Sequence, residues 1–236
     1  MKNSNNNKPK LGGIALYCLI LFFCYIFEIH IEYNIFLYFG FFILVFGIVD
    51  DLYDIKVYQK ILGQIIIVSL FVALENSIMN IFIYIIPYLL ILNASNLIDG
   101  ADGILGSLCL TSYLCLLISN QYHIEIILLI SLSIFIVLLF NFPNAKIYFG
   151  ESGAIFLGFS LNYFIIKNIN EPLVTENILK SNMLIMKYCF YYFPIPVIDV
   201  LYSVIRRILN KQNIFEKDFE HLHHKLFNKT RSRWFT

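Results

Sequence analysis

Charged residues are scarce in this chain. Of its 236 residues only 14% are Asp, Glu, Lys or Arg, whereas 59% are hydrophobic. Soluble domains carry about 25% charged residues and roughly 45–50% apolar ones. The composition therefore excludes a soluble globular class and predicts an integral membrane protein. The formal net charge of +1 says little about partners by itself, and we expect no nucleic acid among them.

Cysteine pairs, a cleavable signal and internal repeats are also missing. The five cysteines all lie in apolar runs without a Cys-x-x-Cys pair, so we interpret them as small hydrophobic side chains rather than disulfide or metal partners. The opening "MKNSNNNKPK" leads into a full-length apolar run without a small-residue cleavage site. We predict a disordered leader at 1–10, a transmembrane domain at 11–205 and a basic, histidine-containing cytoplasmic tail at 206–236.

Long apolar runs dominate what is present. A spanning helix needs about 20 mainly apolar residues, so the runs predict an all-α, polytopic bundle of about eight transmembrane helices. The third and seventh runs are short and would need tilt or local thinning of the bilayer. The predicted spans are 11–29, 34–50, 60–75, 78–95, 103–119, 124–142, 152–167 and 184–205.

The basic residues predict the orientation of this bundle. With eight spans, 14 of the 17 Lys and Arg residues fall on the side that holds the N-terminus, and only Lys167, Lys180 and Lys187 fall on the other. Basic loops mark the cytoplasmic side. We therefore expect both termini in the cytoplasm, the protein in the cytoplasmic membrane, and a functional surface built from the polar cytoplasmic loops.

The first polar loop, "IVDDLYD", places the adjacent carboxylates of Asp50 and Asp51 at a helix end. A solvated helix terminus would explain them. They could equally hold Mg²⁺, which takes oxygen ligands and shares substrate phosphates, and neighbouring carboxylates resist joint ionisation unless a cation compensates them.

The second loop, "NASNLIDGADGIL", repeats Asn or Asp every three residues, at Asn93, Asn96, Asp99 and Asp102. On a helical turn this stride brings successive side chains near one another. Gly100 permits a close backbone approach to a ligand. A turn between two spans explains the glycines but not the regular polar row, so we favour a binding site.

The third loop, "NFPNAKIYFGESGAIFLG", combines Asn141, Lys146, Tyr148 and Glu151. Lys146 could meet a phosphate and Tyr148 could stack on a nucleobase. Alternatively, Tyr148 is an ordinary aromatic residue of the membrane interface.

The fourth stretch, "EHLHHKL", supplies His221, His223 and His224. Zinc is one interpretation, a solvated basic tail is a second, and imidazoles that bind a diphosphate are a third. Taken together, the acidic and basic loops favour a site for Mg²⁺ plus a polyanion at a membrane surface, as phosphoryl transfer requires.

These four stretches, in this order, resemble the polyprenyl-phosphate N-acetylhexosamine-1-phosphate transferases. "KPKLGGIAL" and "YQKILGQ" are further matches, and "HLHHKL" is similar to the GlcNAc-type bacterial branch. The resemblance implies that a UDP-N-acetylhexosamine, expected to be UDP-GlcNAc, and undecaprenyl phosphate give undecaprenyl-diphospho-sugar and UMP, which starts a cell-envelope glycan. It implies Mg²⁺ as cofactor, with Mn²⁺ as a substitute.

The resemblance also suggests roles for single residues. Asp50 and Asp51 match the acidic pair credited with positioning or deprotonating the lipid phosphate, and the histidines match a diphosphate-binding loop. The implied catalytic residues are Asp50, Asp51, His223 and His224, and the implied metal ligands are Asn96 and Glu151. The candidate substrate-binding residues are Lys60, Asn93, Asp99, Gly100, Ala101, Asp102, Asn141, Lys146, Tyr148 and His221.

The chain departs from the family pattern in three ways. Glu151 stands in "GESGA" where relatives have Asp, and near-octahedral Mg²⁺ geometry tolerates the longer arm poorly, so we expect reduced activity. Relatives also have a helix before the Gly-Gly-Ile segment and one or more after the histidine loop. The missing spans would expose helix surfaces that a second copy could cover in a homodimer.

Two other functions remain open at this point. A shortened, catalytically impaired homologue would bind nucleotide-sugar or a partner without turnover. A transporter would require acids near the bilayer centre, where Asp199 is the nearest candidate, so transport ranks last.

Overall fold

The fold is built from α-helices. The computed structural model describes residues 8–53, 55–75, 81–100, 102–119, 123–169 and 178–212, and these contain nine α-helices and no β-strand. This confirms the predicted all-α class. The helices are α1 (Gly12–Ile26), α2 (Asn34–Tyr53), α3 (Val57–Glu75), α4 (Ile81–Ile98), α5 (Ile104–Ser119), α6 (Ile124–Asn141), α7 (Gly150–Lys167), α8 (Ile178–Tyr192) and α9 (Pro194–Leu209).

Several of these helices can cross a membrane. Among the described residues, α2, α3, α4 and α6 are long and apolar enough to do so, and the bent pair of α8 and α9 would make a fifth span. The apolar helices α1 and α5 are shorter. The protein is thus a multi-pass membrane protein, and eight spans with cytoplasmic termini stay a prediction. The predicted third span was too short, since α3 begins at Val57 and has 19 residues.

The predicted eighth span, 184–205, was wrong as a single helix. The chain breaks at Phe193, and α8 and α9 meet there at a bend of 119°. The cause is local, because Pro194 and Pro196 open the new helix. Proline lacks the N–H that would continue α8 and clashes with the preceding turn, whereas the first turn of a helix tolerates it.

The helix α7 forms the centre of the bundle. Every residue from Ser152 to Ile165 is buried, and α7 packs against α1, α2, α4, α5 and α8. A Cβ on Gly13 of α1 would collide with the backbone of Gly153, and one on Gly47 of α2 would collide with Ser152. These two glycines let α1 and α2 approach the first turns of α7 at backbone contact.

Aromatic rings hold α2, α3 and α4 around the other half of α7. Phe36, Phe71, Tyr88, Phe159 and Tyr163 form ring pairs with centroids 4.8–6.0 Å apart. Such pairs contribute about 0.5–1.5 kcal/mol each beyond the area that they bury. The rings therefore fix α7 laterally, while its glycine-lined end carries the polar loops.

We predict that Gly47→Ala destabilises the protein, although alanine is normally favoured over glycine inside a helix by roughly 1 kcal/mol. The new methyl group would press on the Ser152 backbone, which cannot move without shifting α7. Overpacking of this kind destabilises a protein by about 1–3 kcal/mol. The midpoint of thermal unfolding in detergent should therefore be several degrees lower than that of the wild type.

Gly63→Ala is the matched control. There the nearest atoms belong to the ring tip of Phe46, which can rotate away, so a smaller loss is expected. A midpoint for Gly47→Ala at or above that of the wild type would contradict the close-packed contact.

Candidate active site

Six charged side chains meet where α2 ends and α3 and α7 begin. Four are carboxylates, which we call the acidic cluster: Asp50, Asp51, Asp99 and Glu151. Two are ammonium groups: Lys10 and Lys60. They come from five separate segments of the chain, so the fold alone brings them together.

Lys60 lies between two of the carboxylates. Its Nζ is 2.7 Å from Asp50 Oδ2 and also contacts Glu151 Oε2. The side chains of Lys60 and Asp50 are only 10% and 5% exposed, while that of Glu151 is 33% exposed. Asp50 Oδ1 accepts a hydrogen bond of 2.9 Å from the Ile55 N–H. Since Asp50 and Glu151 both contact the same atom, their oxygens converge on one point.

Asp51 has a different role, because its carboxylate binds backbone N–H groups in the first turn of α7. Its two carboxylate oxygens accept hydrogen bonds of 3.1 Å from the N–H groups of Glu151 and Ser152. A carboxylate at a helix N-terminus satisfies free N–H groups and interacts favourably with the helix dipole. Lys10 Nζ lies 2.9 Å from Asp51 Oδ1. Burial lowers the pKa of Lys10, but the hydrogen bond and attraction to Asp51 raise it on balance.

Gly150 makes this arrangement possible. Its φ of +72° lies in the left-handed region, and a Cβ there would sit 2.7 Å from Asp51 Oδ2. Only glycine adopts this conformation without strain and leaves space for the carboxylate. Neither Lys10 nor Gly150 was predicted from the sequence as a site residue, although both belong to matched motifs.

Asp99 lies in the turn after α4 and joins the same cluster. Its carboxyl lies close to the Gly150 backbone, which favours the ionised form and lowers the pKa of Asp99 slightly. Part of the residue surface is exposed, but the carboxyl itself lies deep among protein atoms. This burial, with repulsion from Glu151 and Asp51, raises the pKa of Asp99 to about 7.

A second group of residues connects the turn after α4 to the loop before α7. Asn141 is buried; its Oδ1 accepts a 2.8 Å hydrogen bond from the Gly103 N–H, and its Nδ2 donates to the Ile147 carbonyl at 2.8 Å. Asp102 Oδ2 accepts a 3.1 Å hydrogen bond from the Ala145 N–H. Asn141 and Asp102 therefore hold the turn after α4 against the loop before α7 through these hydrogen bonds.

Tyr148 lies beside the N-terminal segment. Its N–H donates to the Pro9 carbonyl at 3.0 Å, and its carbonyl accepts from the Gly12 N–H at 2.9 Å. The Nζ of Lys8 lies 5.4 Å from the centre of the Tyr148 ring, within the range of a cation–π contact. The Tyr148 side chain is half-buried.

The stride of three in the second loop does not form one helical face. The helix α4 ends at Ile98, so Asn93 and Asn96 lie on the helix while Asp99, Gly100 and Asp102 lie in the turn.

Asn93 Nδ2 donates to the Leu89 carbonyl at 2.7 Å and to Gln64 Oε1 at 3.2 Å. Asn96 is half-buried in the last turns of α4.

Gln64 was missed by the sequence analysis. It lies one turn after Lys60 on α3 and is fully buried, and its Nε2 has no hydrogen-bond partner among the residues that the structure describes. Gln64 is part of the motif "YQKILGQ", but the sequence does not show that α4 places Asn93 in hydrogen-bond contact with its amide.

The remaining candidates are one exposed lysine and four residues outside the described ranges. Lys146 is exposed and lies between Ala145 and Ile147, whose backbone groups bond to Asp102 and Asn141. Ala101 and the histidines His221, His223 and His224 lie outside the described residues.

The carboxylates of this site can supply some, but not all, of the ligands of a hard cation. Across the described residues no group of three or more His, Cys, Asp or Glu side chains is arranged to hold a metal ion. Asp50 and Glu151 nevertheless direct two carboxylate oxygens at one point. Mg²⁺ is commonly held by one or two carboxylates, with water and substrate phosphates as its other ligands, so these residues fit that ion.

A separate pocket lies at the opposite ends of α3, α4 and α7. It has a volume of about 200 Å³ and is lined partly by Glu75, Tyr163 and Lys167. Lys167 Nζ is 2.8 Å from Glu75 Oε1, and the Tyr163 hydroxyl donates to the same oxygen at 3.3 Å. These charges neutralise each other, so this pocket lacks the excess of acids found at the acidic cluster.

Comparison with known proteins connects this arrangement to a family. The family model described as glycosyl transferase family 4 matches residues 33–169. The chain is 27% identical to the probable undecaprenyl-phosphate N-acetylglucosaminyl 1-phosphate transferase of Bacillus subtilis, with 92% of the chain and 65% of that protein covered.

Two Thermotoga proteins are similar to the same degree. The undecaprenyl-phosphate alpha-N-acetylglucosaminyl 1-phosphate transferase of Thermotoga maritima is 27% identical over the full chain and 73% of its own length. The phospho-N-acetylmuramoyl-pentapeptide-transferase of Thermotoga neapolitana is 28% identical over 93% of the chain and 76% of its own length. The chain thus spans about two thirds to three quarters of these relatives.

We predict that Asp99 makes the protein less stable as the pH rises. Its folded-state pKa of about 7 lies above the value of about 3.9 for an unfolded aspartate, so the native state binds more protons between these values. The stabilisation is fully present below about pH 4 and is lost as the pH rises through 7.

Thermal midpoints in detergent at pH 5 and pH 8 check this expectation. The wild type should lose more stability between the two values than Asp99→Asn, which has no proton to release. Equal losses in both proteins would show that Asp99 is not the titrating group.

Proposed function

Because the chain belongs to glycosyl transferase family 4, we propose that it transfers N-acetylglucosamine 1-phosphate from UDP-GlcNAc to undecaprenyl phosphate. The products are undecaprenyl-diphospho-N-acetylglucosamine and UMP, and the reaction would start a cell-envelope glycan at the cytoplasmic membrane. The observation that carries this proposal is the acidic cluster with its two lysines at one end of a membrane bundle. Two of the similar proteins are named for the transfer of N-acetylglucosaminyl 1-phosphate.

The position of the cluster suits an acceptor that is a lipid. Asp50 and Asp51 lie in the last turn of α2, and Lys60 and Glu151 lie in the first turns of α3 and α7. Charges at helix ends stay near the membrane surface, where their cost is far smaller than in the hydrocarbon core. A phosphate on an isoprenoid chain would lie at the same depth, while a nucleotide-sugar would approach from water.

The reaction exchanges one phosphoanhydride bond for another. An oxygen of the lipid phosphate attacks the sugar-bearing phosphorus of the UDP-sugar, the bond from this phosphorus to the bridging oxygen breaks, and UMP leaves with that oxygen. A phosphate monoester is mostly dianionic at neutral pH, since its second pKa is near 6. The attack therefore needs alignment and charge neutralisation more than a protein base.

This chemistry divides the work among residues of the cluster. Asp50 and Glu151 would hold Mg²⁺, which neutralises charge on the diphosphate. Asp51 fixes the start of α7 through two hydrogen bonds and thereby positions Glu151. Lys60 supplies a buried ammonium group that can neutralise a phosphate oxygen. Asp51 thus acts in our proposal as a positioning residue rather than as a base.

We expect purified protein in detergent or nanodiscs to release UMP from UDP-GlcNAc when undecaprenyl phosphate and Mg²⁺ are present. Asp50→Asn should lower kcat about 100-fold or more, as for loss of one strong electrostatic contact. Glu75→Gln is the matched control, because Glu75 belongs to the pocket at the opposite helix ends and its loss should leave kcat within about threefold of the wild type.

Two results of the UMP-release measurement would contradict the proposal. Equal turnover by wild type and Asp50→Asn would remove the acidic cluster from the reaction. An absence of UMP release with UDP-GlcNAc and with other UDP-N-acetylhexosamines would favour the alternative, a homologue that binds without turnover.

We also predict that Glu151→Asp raises kcat several-fold, while Glu151→Gln lowers it. The glutamate arm is one methylene longer than the aspartate of relatives, and Mg²⁺ demands near-octahedral geometry. The measurement is the same UMP release under saturating Mg²⁺. A slower Glu151→Asp enzyme would show that the surrounding residues have adapted to the longer side chain.

A further inference from the structure

The ion pair of Lys60 with two acids has a consequence for metal binding. The ammonium group of Lys60 contacts Asp50 Oδ2 at 2.7 Å and also contacts Glu151 Oε2. A positive atom thus occupies the point on which two carboxylate oxygens converge. In an environment where Lys60 and Asp50 are 10% and 5% exposed, these carboxylates would repel each other strongly without a compensating cation.

A cation held by Asp50 and Glu151 would use these same oxygens. A protein ammonium group and a divalent ion cannot both lie at that point, since like charges at such a distance repel. The two would therefore compete for one place.

We propose that Lys60 is an internal counter-ion that holds the Asp50–Glu151 site until a divalent cation replaces it. On replacement the lysine head leaves the two carboxylates and becomes free to contact an anionic phosphate oxygen of a substrate. The proposal rests on the proposed function for the identity of that anion, but the exchange itself concerns only the protein and the cation.

Lys10 provides the internal comparison. It pairs with Asp51, whose two oxygens already accept hydrogen bonds from the first N–H groups of α7. Its side chain is 53% exposed, so solvent screens its charge. Lys10 is a second positive charge near the cluster, but it does not lie between Asp50 and Glu151.

The test measures binding of Mn²⁺ alone, with no substrate, by the loss of the free Mn²⁺ signal in electron paramagnetic resonance. Lys60→Met keeps much of the side-chain volume but removes the charge, and it should bind Mn²⁺ about tenfold more tightly than the wild type. Lys60→Arg, which keeps the charge, should remain near the wild-type affinity. Lys10→Met should tighten binding by no more than about threefold, through the general loss of one screened charge.

Two results would overturn the exchange. The first is unchanged or weaker Mn²⁺ binding by Lys60→Met, and the second is an equal gain in Lys10→Met. Lys60→Gln is measured in parallel so that a folding defect in one variant does not decide the outcome, and all variants are checked by size-exclusion chromatography in detergent.

Release of UMP separates this proposal from the proposed function. UMP release by the wild type together with unchanged Mn²⁺ affinity in Lys60→Met would refute the exchange and leave the transferase proposal standing. Tighter Mn²⁺ binding by Lys60→Met together with no UMP release by the wild type would support the exchange and refute the transferase proposal.

Discussion

The site depends on how the first turn of α7 is held. Asp51 accepts hydrogen bonds from the N–H groups of Glu151 and Ser152, and Gly47 brings α2 to backbone contact with that turn. These contacts set the height and rotation of α7 relative to α2. Because Glu151 lies in this turn and Asp50 adjoins Asp51, the same contacts place both carboxylates around Lys60.

The surrounding membrane explains why the polar residues lie in so few places. In hydrocarbon, unpaired charges are costly, and the acids of α2, α3 and α7 lie near the ends of these helices. Every residue of α7 from Ser152 to Ile165 is buried by neighbouring helices, so this stretch does not need to face lipid. Its polar first turn can therefore carry function while its aromatic half supplies the packing, through rings such as Phe159 and Tyr163.

Residue type and run length predicted much of this fold. Apolar runs of spanning length gave most helices within a few residues, and the loops rich in Asp, Asn and Glu gave Asp50, Asp51 and Glu151 as candidates. The bend at Phe193 was missed because hydropathy alone does not register that two prolines interrupt an apolar run. Lys10 was missed as a partner of Asp51 because the two are far apart in the chain, and only helix packing decides which ions meet.

The net charge of the site also indicates the order in which the cation and the nucleotide-sugar bind. The acidic cluster has four carboxylates against two lysines. Burial raises the pKa of Asp99, and repulsion from Glu151 and Asp51 adds to that rise. A diphosphate that entered such a site before a cation would meet net negative charge. A divalent cation that entered first would cancel the excess and, by displacing Lys60, would turn a residue that balanced acids into one that attracts phosphate. The excess of acids therefore favours binding of the cation before, or together with, the nucleotide-sugar.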